Sequence, residues 1–193
     1  APYLFAGGRA AAPRAPRAAT GWLALAGVTR NNLDRLEARF PLGAFTAVTT
    51  ERALATADAV DAKRQGGAPL GPLAGVPYAV KNLFDVEGLP TLAGSKINRD
   101  HPPAPRDAAL IEKLSAADAV LLGALNMGEY AYDFTGENAH DGPSRNPHDL
   151  TRMTGGSSGG SGAAAAAGSG PVTLGSDTNG SIRVPSSLCG LFG

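Results

Sequence analysis

The sequence predicts an α/β protein in which helices flank a mainly parallel, mixed sheet. Short apolar or β-branched runs at residues 45–49, 76–81 and 120–125 indicate strands, and segments with apolar residues three or four apart separate them. Strands that alternate with helices favour parallel pairing. The 193 residues, 43% of them hydrophobic, contain enough apolar material for one globular core.

Two helices are predicted in the first half of the chain. A pair of leucines three residues apart predicts a helix over residues 31–40, with an asparagine as its cap. Thr50 is predicted to cap a second helix over residues 51–65, which Gly66 and Gly67 terminate.

The second half is predicted to continue the alternation. After the strand at 76–81 comes a stiff proline-rich connector at 102–105, and Asp107 is predicted to cap the helix that follows. A further helix is expected over residues 161–167, and a β-like run at 171–174 comes after it.

The N-terminus has a different composition from the rest. Residues 1–20 are rich in Ala, Pro and Arg and contain no continuous apolar face, so we expect them to be disordered. The folded domain is predicted to occupy residues 21–193.

Composition excludes several classes of function. The formal net charge is zero, which gives no electrostatic footprint for direct nucleic-acid contact. No apolar run approaches the roughly 18 to 20 residues of a membrane span, so no membrane association is expected. Cys189 is the only cysteine, so no intrachain disulfide can form, and a reducing, cytoplasmic location is the natural expectation.

No metal or cofactor site is predicted. His101, His140 and His148 lack HExxH-type or i, i+4 spacing, and they lie in polar, proline-containing segments. A phosphate loop is not indicated either, because no Gly-Lys-Ser or Gly-Lys-Thr closes the glycine-rich run.

A long Gly/Ser-rich stretch over residues 155–185 carries the strongest functional signal. Its alanine run, its β-like segment and its aspartate are features that a flexible linker does not need, so the stretch is predicted to fold. Residues 155–159 also satisfy G-x-S-x-G, the nucleophile elbow of α/β-hydrolases. That fold needs an Asp and then a His after the serine, and the last histidine is His148, so the order is not completed within this chain and the interpretation is not favoured.

The stretch resembles the amidase signature, and the segment 75–82, which ends near Lys81, resembles the family's strand that carries a catalytic lysine. Two serines 24 residues apart match the family's bridging serine and nucleophile. The resemblance implies that Ser181 attacks the amide carbon, that Ser157, after a cis peptide bond, relays its proton, and that Lys81 is the final base. This role requires Lys81 to be neutral, although a free lysine titrates near 10.4.

The resemblance also assigns supporting roles. It implies a backbone oxyanion hole and three residues that support the loops. Two alternatives remain open. Ser157 or Ser158 could cap the following helix, and Asp177 could form a plain surface ion pair with Arg183. The oxyanion donors would be the N–H groups of Thr178, Asn179, Gly180 and Ser181, and the supporting residues Ser158, Asp177 and Arg183.

Within the family, stretches around residues 81–86, 92–98, 129–134 and 177–188 look most like the biuret or carboxybiuret hydrolase branch. This similarity implies a cytoplasmic enzyme without cofactor that acts on a small urea-like amide, together with a small partner subunit or as a homodimer. Gly128 departs from the pattern, since relatives often have Asp there.

Two other interpretations stay open. One is the A subunit of a glutamyl-tRNA(Gln) or aspartyl-tRNA(Asn) amidotransferase, which releases ammonia from glutamine. The other is a catalytically inactive remnant that only binds a partner chain. The resemblance runs from about residue 45 to residue 193, so we expect the N-terminal portion of an amidase signature fold, truncated at its C-terminal end.

Overall fold

The computed structural model describes residues 2–7, 17–18, 21–22, 25–38 and 42–193. Most of the described strands form one sheet, and two short antiparallel pairs lie outside it. The strands of the sheet are β1 (Pro2–Gly7), β4 (Phe45–Val48), β5 (Pro77–Lys81), β6 (Val120–Leu125), β9 (Val172–Ser176) and β10 (Leu191–Phe192); the pairs are β2 (Arg17–Ala18) with β3 (Gly21–Trp22), and β7 (Arg145–Asn146) with β8 (Asp149–Met153).

The described helices separate these strands along the chain. None of them is both long enough and apolar enough to cross a membrane. They are α1 (Leu25–Ala38), α2 (Thr50–Gln65), α3 (Ala109–Ala116), α4 (Gly159–Ala166) and α5 (Arg183–Leu188).

The sheet is mixed, with parallel strands at its centre. Its order is β10-β1-β9-β5-β6-β4, in which β5 pairs in parallel with both β6 and β9. The outer strands β4, β1 and β10 join by antiparallel pairing. The predicted α/β class with parallel pairing is confirmed for the central strands, and these are the strands whose ends carry the site described below.

The core lies on both faces of the central strands. Successive residues of a strand point to opposite faces, and accordingly Ala79 packs with helices α2 and α4 while Tyr78 and Val80 pack on the side of α3. Every residue of β6 is buried, as its continuous apolar run predicted. Lys81, the proposed base, therefore stands at the end of a buried central strand.

Helix starts differ from the sequence predictions. Helix α1 begins at Leu25 rather than at residue 31, and its buried Thr29 and Leu33 are four residues apart on one face. The predicted end of this helix at residue 40 lies outside the described residues. Thr50, the predicted cap, is instead the first residue of α2. Thr49 precedes the helix but makes no side-chain cap, and its hydroxyl donates to the carbonyl of Leu121 at 3.0 Å.

Asp107 does not cap helix α3, which corrects another prediction. Its carboxylate accepts hydrogen bonds from Arg52, at 2.8 and 2.5 Å, and from the N–H of Glu87 at 2.9 Å. Ala108 is the residue before the helix. Because an arginine fork binds a carboxylate in bidentate fashion more strongly than a helix N–H does, the tertiary partner prevails.

The predicted disorder of residues 1–20 is corrected in part. Residues Pro2–Gly7 form β1, which pairs with β9 so that Leu4 stands opposite Leu174. Strand β9 would otherwise leave its N–H and C=O groups unpaired on that side, and aromatic residues favour strands. Residues 1, 8–16 and 19–20 lie outside the described residues, and the boundary between residues 20 and 21 stays a prediction.

Candidate active site

Lys81 ends strand β5 at the centre of the sheet, and its side chain is fully buried. Its Nζ donates to Ser157 Oγ at 2.7 Å and to Ser176 Oγ at 2.9 Å. Ser176 is the last residue of the neighbouring parallel strand β9. The carboxyl ends of adjacent parallel strands meet at one edge of a sheet, which is why residues 95 positions apart in the chain are in contact.

Burial changes the charge state of this lysine. Removal from water disfavours the ammonium form and lowers the pKa of Lys81 from 10.5 to about 7. The carboxylates of Asp177 and Asp133 act in the opposite direction and raise this pKa. A large fraction of Lys81 is therefore neutral near neutral pH, and neutral Nζ has a lone pair that accepts a proton.

Ser157 follows a cis peptide bond after Gly156, which is the geometry that the resemblance implied. The side chain of Ser157 is fully buried, and its main-chain carbonyl accepts a hydrogen bond from the N–H of Gly128 at 3.0 Å. Gly155 has a φ of +80°, a left-handed conformation that glycine adopts readily. The turn thus presents the Ser157 hydroxyl to Lys81.

Ser158 joins the turn to the end of β9. Its hydroxyl donates to the carbonyl of Ser176 and accepts from the N–H of Ser176, both at 3.3 Å. Its N–H donates to the carbonyl of Ser181 at 3.2 Å. Ser158 precedes α4 but makes no side-chain cap to it. The capping alternative for Ser158 is therefore wrong, and Ser157 bonds to Lys81 instead of to the helix.

Asp177 organises the loop that carries Ser181. Its carboxylate accepts from the N–H groups of Gly180, Ile182 and Arg183 at 2.8 to 3.1 Å, and from the Arg183 guanidinium at 2.9 and 3.1 Å. The hydrogen bonds from the Arg183 guanidinium hold the pKa of Asp177 well below its ordinary value, and the three main-chain N–H groups lower it further. With its side chain only 6% exposed, Asp177 is a loop anchor and not half of a plain surface ion pair.

The four expected oxyanion donors differ in whether they already have an acceptor. The N–H of Gly180 donates to Asp177 at 2.8 Å, so one of the four already has an acceptor. Within the described part of the chain, the N–H groups of Thr178, Asn179 and Ser181 have none. Ser181 is buried to within 6% exposure. The loop that carries Ser181 thus contains three main-chain N–H groups without a protein acceptor among the described residues.

Ser176 is the residue that sequence reasoning missed. It lies directly before Asp177 within the Gly/Ser-rich stretch, yet nothing in the local pattern separates its hydroxyl from those of its neighbours. Its contact with Lys81 arises only from the parallel pairing of β5 and β9. The site is consequently a chain of three groups, Ser176, Lys81 and Ser157, next to the loop of Ser181.

Two proteins of known activity are similar to this chain in sequence. The chain is 68% identical over 152 residues to the 1-carboxybiuret hydrolase subunit AtzE of Pseudomonas sp. (strain ADP). This match covers 79% of the chain and 33% of that subunit. It is 50% identical over 184 residues to the A subunit of the glutamyl-tRNA(Gln) amidotransferase of Streptomyces coelicolor, with 95% of this chain and 37% of that protein covered.

A solved structure of a vestigial protein complex that reveals the evolutionary origins of an s-triazine catabolic enzyme is also similar. It has a TM-score of 0.85 at 62% identity and covers 86% of this chain and 37% of that chain. The chain thus spans little more than a third of the length of the proteins it matches. The family model described as Amidase matches residues 27–193. The predicted family is confirmed, and the chain belongs to the amidase family.

Proposed function

We propose that this chain supplies the Ser-Ser-Lys catalytic residues of an amidohydrolase that cleaves a small carboxamide or urea-like C–N bond through an acyl-enzyme. The observation that supports this most directly is the 2.7 Å hydrogen bond between Lys81 Nζ and Ser157 Oγ in a fully buried setting. A buried amine of lowered pKa beside a hydroxyl is the arrangement that activates a weak nucleophile.

The proposed reaction proceeds in two halves. Ser181 Oγ attacks the carbonyl carbon while its proton passes to Ser157 Oγ, and the Ser157 proton passes to Lys81 Nζ. The tetrahedral intermediate then collapses, the C–N bond breaks, and the proton returns from Lys81 through Ser157 to the leaving nitrogen. Water attacks the acyl-Ser181 ester by the same proton path and regenerates the enzyme.

The developing oxyanion would be stabilised by main-chain donors. The N–H groups of Thr178, Asn179 and Ser181 support this proposal, because they lack an acceptor among the described residues. One such donor is typically responsible for a factor of roughly 100 to 1,000 in kcat. Asp177 and Arg183 support the site by holding the loop, and Ser158 by joining it to β9.

The proposed substrate is a urea-like amide of the biuret or carboxybiuret type. Support comes from the 68% identity to a 1-carboxybiuret hydrolase chain. We propose further that the protein works in the cytoplasm, without a cofactor, and associates with a small partner subunit or as a homodimer. The similarity to a protein from a vestigial complex supports a partner subunit.

The second candidate is the A subunit of a tRNA-dependent glutamine amidotransferase. It is supported by 50% identity over 95% of this chain. A glutaminase assay separates the two, because release of ammonia from glutamine is expected of the amidotransferase and hydrolysis of biuret-type amides of the first candidate. The third candidate is an inactive remnant that only binds a partner chain.

The direct test is labelling by a fluorophosphonate probe of the protein at its full natural length. We expect the probe to modify Ser181 and Ser181→Ala to abolish both labelling and amide hydrolysis. Ser187→Ala, at an exposed serine of helix α5, is the matched control and is expected to retain both. Labelling at another residue contradicts the assigned nucleophile, and unchanged behaviour of Ser181→Ala in every assay favours the remnant.

A further inference from the structure

Asp133 occupies space that two glycines leave open next to the catalytic turn. A Cβ atom at Gly128 would lie 2.5 Å from both Cβ and Oδ2 of Asp133, and one at Gly156 would lie 2.3 Å from Oδ2. Neither distance is compatible with a side chain at those positions while Asp133 stays in place. The absence of side chains at Gly128 and Gly156 is thus matched to the presence of the Asp133 carboxylate.

Both oxygens of the Asp133 carboxylate accept hydrogen bonds from the loop that follows it. Its Oδ1 accepts from the N–H and the hydroxyl of Thr135 at 2.8 and 2.7 Å, and its Oδ2 accepts from the N–H of Gly136 at 2.8 Å. An aspartate that binds the main chain two and three residues ahead fixes the local turn. The conformation of residues 133–136 therefore depends on this one side chain.

That loop in turn holds the residues around Ser157 by main-chain hydrogen bonds. The N–H of Gly155 donates to the carbonyl of Thr135 at 3.0 Å, and the N–H of Gly156 donates to that of Phe134 at 2.9 Å. On the other side of the peptide link, the N–H of Gly128 donates to the carbonyl of Ser157 at 3.0 Å. Main-chain hydrogen bonds from the segment 128–136 therefore hold both Gly156 and Ser157.

Asp133 also bears on the charge of the base. The two carboxylates that raise the pKa of Lys81 against the effect of burial are Asp177, in the loop of Ser181, and Asp133. Asp177 has the larger effect of the two, and it also forms an ion pair with Arg183. The hydrogen bonds of Asp133 come from uncharged N–H and hydroxyl groups, so its charge is not balanced by them.

We propose that Asp133 is a positioning residue for the reaction assigned above: its side chain, seated against Gly128 and Gly156, fixes the loop that holds Ser157 in line with Lys81. This inference rests on the proposed function. It also accounts for the departure at Gly128, since a larger residue there and Asp133 exclude each other. Gly128 has φ −62° and ψ 142°, a conformation open to any residue, so its need for glycine comes from Asp133 and not from the backbone.

The steric part is tested by three variants in the full-length protein, with kcat/KM for an amide substrate and thermal unfolding as readouts. Gly128→Ala and Asp133→Gly are each expected to lower kcat/KM on the order of 10- to 100-fold, because small misplacements of catalytic groups have effects of that size. In the Asp133→Gly background the three Asp133 atoms nearest to the added methyl at position 128 are absent, so we expect it to cost at most about twofold more.

Gly156→Ala serves as the contrasting variant. A Cβ at Gly156 would also lie 2.7 Å from the main-chain nitrogen of Gly136, so Asp133→Gly is not expected to rescue it. If Gly128→Ala is equally harmful with and without the Asp133 side chain, in both readouts, the steric relation between the two residues is wrong.

The effect of the Asp133 charge on Lys81 is tested by the pH at which kcat/KM falls on the acidic side, which a purely structural role of Asp133 would not change. Asp133→Asn keeps the size of the side chain, removes its charge and exchanges one acceptor oxygen for an NH2 donor. The lost loop hydrogen bond lowers the height of the kcat/KM profile. The position of its acidic limb is expected to move to lower pH, because the pKa of Lys81 falls without the charge of Asp133. Glu137→Gln, at an exposed carboxylate of the same loop, is the matched control and is expected to leave the limb in place.

An acidic limb that stays where it was in Asp133→Asn contradicts the electrostatic effect of Asp133 on Lys81, and the Gly128→Ala comparison decides the steric positioning. Failure of the proposed function has a different signature. In that case the wild-type protein itself hydrolyses no amide and is not labelled at Ser181, and the thermal-unfolding comparison of Gly128→Ala with and without Asp133 still tests the packing.

Discussion

Replacement of Lys81 by methionine separates the catalytic use of this residue from its effect on stability. Methionine is of similar length and has no charge, so Lys81→Met keeps the buried volume and removes the titrating amine. We expect the variant to lose amide hydrolysis and to be more stable than the wild type near pH 7.5, because burial of lysine disfavours its charged form.

The magnitude follows from the two proton affinities. The pKa of Lys81 is about 7 in the folded protein and 10.5 as its reference value. Between these values the unfolded chain binds a proton that the folded chain does not, so wild-type stability rises with pH by about 1.4 kcal/mol per unit. The destabilisation is therefore fully present below about pH 7 and disappears above about pH 10.5.

From about pH 7.5 to about pH 9.5 the contribution of Lys81 changes by about 2.5 kcal/mol. Loss of the hydrogen bonds to Ser157 and Ser176 adds an opposing term of about 1 to 3 kcal/mol that does not depend on the charge of Lys81. The stability difference at a single pH mixes both terms. Its change with pH isolates the titration of Lys81.

The assay is urea denaturation of wild type and Lys81→Met at both pH values, followed by circular dichroism. The advantage of the variant is expected to shrink by about 2.5 kcal/mol at the higher pH. Lys113→Met, at an exposed lysine of α3, is the matched control for the replacement itself. If the difference for Lys81→Met is the same at both pH values, the folded protein keeps the proton on Lys81 throughout this window, and Lys81 cannot serve as the neutral base.

Three further outcomes are expected. In the wild type, kcat/KM should fall about tenfold per unit below about pH 7 as Lys81 becomes protonated, measured as a pH–rate profile; a flat acidic side contradicts the role of the base. Ser176→Ala should lower kcat/KM by about tenfold because Lys81 Nζ loses one of its two partners, while Ser176→Thr keeps the hydroxyl and restores activity; equal rates for the two variants exclude a positioning role. Ile111→Ala, at a fully buried side chain, should reduce the free energy of unfolding in urea by about 2 to 5 kcal/mol, against little change for exposed Glu112→Ala; a loss below about 1 kcal/mol would show that the core around α3 is loosely packed.

The sequence predictions for β4, β5 and β6 were accurate because their signal is local. The runs at 45–49, 76–81 and 120–125 became β4, β5 and β6 to within one residue at each end. Continuous apolar or β-branched residues can satisfy both faces of a buried strand without reference to distant partners. The end of α2 at Gln65, before Gly66 and Gly67, follows from equally local properties of glycine.

Predictions that depended on a choice between partners were less accurate. Asp107 has the side chain of a helix cap, but Arg52, 55 residues earlier in the chain, binds it instead. Residues 2–7 looked unstructured by composition, yet they complete the edge of β9 as β1. A helix cap is worth only about 1 kcal/mol, and in both cases tertiary hydrogen bonds that no local pattern reveals decide the outcome.

By itself, the sequence determined the central α/β order and, through its resemblance to the amidase signature, the family and the identity of Lys81, Ser157 and Ser181 as candidates. The tertiary structure decided which groups surround them: Ser176 on Lys81, Asp177 on the N–H of Gly180, and Asp133 against Gly128 and Gly156. The physical reason is that strand and helix periodicity is a property of neighbouring residues. The proton affinity of Lys81 and the orientation of its side chain depend on burial and on contacts that form only when β5, β9 and the turn before α4 come together.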